Sequence, residues 1–136
     1  MGLYFVIFYN LKKMVIICPA FEKEVIASEK IIAELVPMIN GQNNPFIILQ
    51  KGEMTYIQTL WTPKGYMLEY QEGTVSEHYM LCTPTTEENA VWALQCYLNE
   101  KLYWKTKFKF KKKYIATPSY KLGHKIGLLF GRFLNN

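Results

Sequence analysis

The sequence predicts an α+β fold: an antiparallel meander of four to six strands, with a helix before it and a helix after it, and a basic C-terminal extension. Three observations carry this. Residues 46–83 hold four β-prone runs cut by three turn signals, at Lys51-Gly52-Glu53, Pro63-Lys64-Gly65 and the polar residues from Gly73 onward. Connections this short join only antiparallel neighbours. Helix-period segments with N-cap residues flank that block on both sides.

The elements follow in order. Residues 3–9 (LYFVIFY) and 14–18 (MVIIC) are short β-prone runs separated by Asn10 and two lysines. They pair as a hairpin, or only the second belongs to the fold. After EKEVIA, Ser28 is placed to cap a helix with Glu29 in its first turn, and Ile31, Ile32, Leu35 and Ile39 recur at helical spacing. Pro37 kinks that helix or ends it near Val36, because proline removes a backbone donor. Asn40-Gly41 reads as its C-terminal close. The central strands are Phe46–Gln50, Thr55–Thr62, one starting at Tyr66, and His78–Thr83. In the second, Ile57 and Trp61 take one side, and Tyr56, Gln58 and Leu60 the other. Pro84 stops the sheet. Thr85 and Glu88 form a capping-box pattern that opens a helix to about Asn99, with Ala90, Val91, Leu94, Tyr97 and Leu98 on one face. Trp104 to Lys111 alternates without a break, so a further strand is expected with Trp104, Thr106, Phe108 and Phe110 inward and lysines outward. A last helical candidate follows Pro118-Ser119. The expected domain is 14–111, with 1–13 an N-terminal extension or strand and 112–136 a basic tail with a short helix.

The totals bound the partners. The chain has 136 residues, half of them hydrophobic, enough for one domain with a real core. Its net charge of +5 conceals a split. Residues 1–100 carry six lysines and all eleven glutamates, a net −5, and residues 101–136 carry nine lysines, one arginine and no acid, a net +10. An acidic body with a basic end speaks to partners rather than to fold. Cys18, Cys82 and Cys96 have neither paired nor C-x-x-C spacing, which fits reduced thiols in a cytoplasmic protein. No segment reads as a transmembrane helix, and the charges follow the apolar N-terminal run, the reverse of a signal peptide.

Three groups of residues could carry function. The first is basic: Lys105, Lys107, Lys109, Lys111, Lys112 and Lys113, continued by Lys121, Lys125 and Arg132. With interleaved aromatics such a surface can hold nucleic acid or an anionic membrane surface; strict alternation would instead make it an edge strand guarded by lysines. The second is Gly123, Gly127 and Gly131 on one helical face, a spacing that allows close packing on the body or on a second copy of the chain in a homodimer. The third gathers Glu69, Tyr70, Glu72, Glu77 and His78 around the third turn. A carboxylate beside a histidine can do acid–base chemistry, but Cys82 lies four strand residues from His78, over about 10 Å away, and no third orienting group follows. Glu69, Glu72, Glu77 and His78 therefore read as a solvated acidic rim able to dock a basic protein partner, with Tyr70, Trp61 and Tyr79 as anchors if exposed and as core if buried. No spacing suggests a metal site or a cofactor.

Several of these residues also carry a resemblance. Pro45-Phe46-Ile47-Ile48-Leu49, Tyr56-Ile57-Gln58, Gly65, Glu69-Tyr70-Gln71-Glu72-Gly73, His78, Tyr97-Leu98 and Trp104 are laid out in a way that resembles the small bacterial immunity proteins of polymorphic-toxin systems. Those carry a Glu-x-Gly element and a late tryptophan in an α+β domain. The resemblance covers roughly residues 25–110. It implies a non-enzymatic inhibitor that neutralises a toxin by stoichiometric binding, and the basic tail departs from the acidic immunity proteins that face basic nucleases. The alternative expectation is a nucleic-acid or anionic-membrane binder acting through the basic C-terminal segment.

Overall fold

The structure is a computed structural model that describes residues 13–114. Its strands are β1 (Val15–Ile17), β2 (Val25–Ile26), β3 (Phe46–Gly52), β4 (Thr55–Thr62), β5 (Gly65–Glu72), β6 (His78–Leu81) and β7 (Phe110–Lys112). Its helices are α1 (Glu29–Leu35), α2 (Glu87–Leu98) and α3 (Tyr103–Lys107), with a 3₁₀ turn at Val36–Met38. The strands form one antiparallel sheet in the order β2-β1-β3-β4-β5-β6-β7. The α+β class and the β3–β6 meander agree with the sequence expectation. The sheet has seven strands rather than four to six, because Val25–Ile26 pairs with β1 and because a strand returns beside β6 after the helices. Residues 3–9 and the glycine-spaced segment lie outside the described residues.

Alternation divides the sheet into two faces. One carries Ile16, Ile47, Leu49, Ile57, Leu68 and Leu81, and packs with Ile32, Leu35, Val36, Ala90, Ala93, Leu94 and Trp104 of the helices into the main core. Among the described residues, the opposite face holds a smaller apolar cluster of Phe46, Ile48 and Tyr56, flanked by Ile17, Met54 and Leu60. The predicted sides of β4 are those observed.

Local chemistry explains the element ends. The Ser28 hydroxyl accepts from the Ile31 amide and caps α1 as expected. Pro37 ends α1 at Leu35 and turns the chain through the 3₁₀ segment. Asn40-Gly41 therefore does not close the helix. Asn40 Oδ1 accepts from the Gln42 and Asn43 amides at 2.9 and 3.1 Å in a side-chain turn, and Gly41 sits against the Trp61 ring, where a Cβ would collide. Gly65 closes the β4–β5 hairpin at φ 132°, and a Cβ there would meet the Thr85 carbonyl at 2.7 Å.

The cap of α2 is Thr86, one residue beyond the predicted Thr85. Thr85 is drawn into a β-bridge with Tyr66, and its hydroxyl accepts from Asn89 Nδ2. The buried face of α2 is Ala90, Ala93, Leu94 and Cys96, while Val91, Tyr97 and Leu98 are partly buried beside it. Thr86→Ala is accordingly expected to cost about 1 kcal/mol in urea denaturation, and Thr85→Ala less.

The largest correction concerns residues 104–111. They are not one strand. Tyr103–Lys107 is a turn and a half of helix, and only Phe110–Lys112 pairs with β6. Trp104 is buried from a helix and Phe110 from a strand, so their shared side of the chain is not a shared strand face. β7 also runs one residue past the predicted domain end at Lys111, and the Lys113 amide donates to the His78 carbonyl.

Candidate functional site: a buried acid–histidine pair beside an exposed loop

The Thr62–Gly65 turn fixes the β4–β5 register and sets Gln58 opposite Glu69 and Tyr56 opposite Gln71; β6 then sets His78 opposite Gln71. Alternation sends Gln58, Glu69, Gln71 and His78 to the face of the Phe46, Ile48 and Tyr56 cluster, and Tyr70, Glu72, Glu77 and Tyr79 to the face packed against α1, α2 and α3. The five predicted contact residues are therefore split. Glu69 and His78 are only 6% and 3% exposed, so neither belongs to a solvated rim, and the buried Tyr70 is core rather than an exposed anchor. Glu72 and Glu77 retain solvent-accessible carboxylates.

Glu69 is the centre of the buried group. Its Oε2 accepts from Gln58 Nε2, its Oε1 accepts from Lys113 Nζ at 2.8 Å, and Oε2 lies 3.6 Å from His78 Nε2. At that separation the imidazole contact is electrostatic rather than a hydrogen bond, and His78 Nε2 has no hydrogen-bond partner. Nδ1 of His78 lies 3.1 Å from Gln71 Oε1, and Gln71 Nε2 donates to the Met54 carbonyl. Burial pushes the Glu69 carboxyl upward, but His78 and the Lys113 ammonium outweigh it and hold the group at about 2. Burial, reinforced by the Glu69 charge, raises the neighbouring Tyr56 phenol.

On the other face the basic segment meets the acidic turn. Lys105 pairs with Glu72, and Lys112 lies 3.5 Å from Glu77. The Tyr79 hydroxyl donates to Glu77, and with Lys112 it lowers that carboxyl. Burial and the Glu72 charge push the Tyr70 phenol up to about 12. Lys107 sits 4.4 Å from the centre of the Trp92 ring and reaches Asn89 Oδ1. Of the six lysines from 105 to 113, four are thus engaged within the molecule, and Lys109 and Lys111 are exposed. Lys121, Lys125 and Arg132 lie outside the described residues.

The exposed feature missed by the sequence reading is the loop after α2. Glu100 and Lys101 amides donate to the Tyr97 and Cys96 carbonyls, an α-helical C-terminal motif whose left-handed position is glutamate instead of glycine, with φ 57°. Glu100 pairs with Lys51 of the β3–β4 turn at 2.7 Å. The Gly73 amide donates to the Met54 carbonyl, so the two sheet turns are tied together at the same end. Immediately after Lys101, Leu102 and Tyr103 stand 65% and 63% exposed.

Other features hold less chemistry. Cys18 and Cys96 are buried free thiols, both raised by burial. An open groove is lined by Pro37, Glu87, Glu88, Val91, Trp92 and Gln95. Among the described residues no cluster of three or more His, Cys, Asp or Glu side chains could hold a metal ion, and no helix is long and apolar enough to cross a membrane.

Register could have revealed the polar group in advance. Counting outward from the two-residue Pro63-Lys64 turn pairs Gln58 with Glu69 and Tyr56 with Gln71, placing three polar residues together on strands otherwise rich in apolar ones. No comparable signal marks Leu102 and Tyr103, because the lysine alternation suggests a strand there. No protein-family model, curated protein or solved structure matches the chain.

Proposed function

We propose that this chain is a non-enzymatic protein-binding module of the immunity type, which neutralises a cognate toxin by stoichiometric binding in the cytoplasm. The observation that carries the reading is the exposed Leu102–Tyr103 pair, which follows directly on Lys101 and on Glu100, the partner of Lys51. An exposed aromatic and an apolar neighbour beside charged residues suit a protein interface. Glu69, Tyr70 and His78 act in this reading as the foundation of the turn, and Glu72 and Glu77 as its contact residues.

The rival reading, a nucleic-acid or anionic-membrane binder, rests on Lys109 and Lys111 together with Lys121, Lys125 and Arg132. It is weakened by the intramolecular engagement of the other four lysines.

The test asks whether a toxin domain is encoded beside the gene, an isolated locus sinking the reading, and where one is found co-expresses it with the chain and titrates the purified pair by calorimetry. A 1:1 complex is expected, with Leu102→Ser/Tyr103→Ser weakening it at least 100-fold at unchanged melting temperature, and Lys109→Glu/Lys111→Glu leaving it intact. Protection at substoichiometric amounts would sink the immunity reading. Loss of function only in the lysine variant, with binding to single-stranded DNA or anionic vesicles that falls steeply with salt, would establish the rival.

A further inference from the structure

The pair α1 and α2 leaves a groove on its solvent side. The two helices run antiparallel: Gln95 and Asn99 near the end of α2 donate to Glu29 at the start of α1, while Pro37, just past the end of α1, lines the groove together with Glu87 and Glu88 at the start of α2. Glu88, Val91, Trp92 and Gln95 recur at i, i+3, i+4 and i+7, so they form one stripe of α2, beside the stripe that enters the core. Pro37, Val91 and Trp92 make the apolar part of the groove, and Met38, the next residue after Pro37, is 61% exposed. Glu87 and Glu88 add two exposed carboxylates. Glu87 accepts a hydrogen bond of 3.3 Å from the Tyr66 hydroxyl, and among the described residues nothing engages Glu88. Among the described residues no lysine lines the groove; Lys107 stands over the Trp92 ring and donates to Asn89.

We infer that this groove receives an arginine side chain of a protein partner, with the aliphatic stem on Pro37, Val91 and Trp92 and the guanidinium on Glu87 and Glu88. Size is the first argument. The groove measures about 280 Å³, below the roughly 300–1,000 Å³ of small-molecule sites, so it takes a side chain rather than a whole ligand. Charge is the second. Two carboxylates repel a phosphate backbone or an anionic lipid, and a purely apolar side chain would desolvate them without return. A cation with an apolar stem satisfies both halves of the groove. Arginine suits it better than lysine, because the planar guanidinium is weakly hydrated, stacks on aromatic rings and forks onto carboxylates, whereas an ammonium is a strongly hydrated point charge. Trp92 already attracts a cation, since the Lys107 ammonium lies 4.4 Å from its ring centre. This surface is separate from the Leu102–Tyr103 pair, and the inference does not depend on the partner being a toxin.

The experiment titrates the full-length, isotope-labelled chain with N-acetyl-arginine amide and follows the Trp92 indole and Val91 methyl signals by nuclear magnetic resonance. Saturable shifts are expected, with a Kd on the order of 1 mM for so small a probe. The uncharged isostere N-acetyl-citrulline amide is expected to bind roughly tenfold more weakly, and Glu88→Gln to weaken arginine binding about threefold. Glu53→Gln, at an exposed carboxylate of the β3–β4 turn, is expected to change nothing. Absence of saturable shifts, equal binding of citrulline, or an equal loss in Glu53→Gln overturns the inference. Tighter binding of free arginine than of the blocked form would mark a metabolite site and overturn the docking reading. The chain's own arginine is Arg132; groove signals that shift on Arg132→Ala with no ligand present would mean that the chain fills the groove itself, and would also overturn it. No toxin enters this titration, so its failure leaves the Leu102–Tyr103 reading standing, and failure of that reading leaves this one standing.

Discussion

Replacing Trp104 with alanine is expected to lower the stability of the fold by about 3–5 kcal/mol, read as a melting temperature reduced by roughly 10–20 °C. Trp104 is the point at which the short α3 is fastened to the sheet. It is 1% exposed, and its ring meets Tyr70 edge-on at 4.8 Å between centroids, Phe110 at 5.8 Å and Tyr97 at 5.8 Å. Tyr70 in turn stacks on Tyr79, so one truncation opens a cavity shared by α2, β5, β6 and β7. A five-residue helix has no stability of its own, and without this anchor the Leu102–Tyr103 loop loses its support. The indole nitrogen is buried without a hydrogen-bond partner. Trp104→Phe removes that unpaired donor along with some volume and is therefore expected to cost much less than alanine. Thr106, which the alternating pattern placed on the same side as Trp104, is exposed, so Thr106→Ala is expected to be nearly neutral. A Trp104→Ala cost below 1 kcal/mol, or a Thr106→Ala cost of similar size, would restore the continuous strand.

Glu69→Gln is expected to remove roughly 3 kcal/mol of stability at neutral pH, and this loss should vanish in acid. The carboxyl is held at about 2 against an ordinary value of 4.5. Above about pH 5 the group is ionised in both folded and unfolded chains, and the full stabilisation from Lys113 and His78 is present. As pH falls below 4.5 the unfolded chain takes up a proton that the folded chain refuses, so stability drops until the folded group titrates near 2. The difference between wild type and Glu69→Gln in urea denaturation should shrink steadily across that window. A constant difference from pH 7 to pH 2.5 would mean that the carboxylate acts through shape and hydrogen bonding alone. Lys113→Met should produce a smaller version of the same pattern, since the Lys113 ammonium is partly solvated and His78 remains.

These two residues show where reading the chain succeeds and where it stops. The turns at Lys51-Gly52-Glu53 and Pro63-Lys64-Gly65, the Ser28 cap, the break at Pro37 and the capped helix before Asn99 are local events. Each is decided by a few neighbouring residues, and each appears in the structure within a residue or two of the expected place. The helical approach of Trp104 was hidden because WKTKFKFK fits a strand's period of two, while the burial of Trp104 among Tyr70, Tyr97 and Phe110 favours a short helix followed by a late strand.

The alternation of the strands is likewise written in the sequence, and with the turn register it already brings Glu69, Gln58, Gln71 and His78 together. Whether that face meets water is not written there. Solvation depends on how distant parts of the chain pack, and the same carboxylate is a solvated rim group or a buried ion accordingly. Nor does composition reveal that Lys105, Lys112 and Lys113 neutralise Glu72, Glu77 and Glu69. The acidic body and basic end look like two separate binding surfaces until β7 pairs with β6 and sets them side by side. The sequence by itself determined the α+β class, the β3–β6 meander and the two-sided chemistry of its strands, because those follow from local sterics and periodicity. Only the tertiary structure decided which charges face solvent and which face each other, because Coulomb attraction and desolvation depend on distances that sequence separation does not fix.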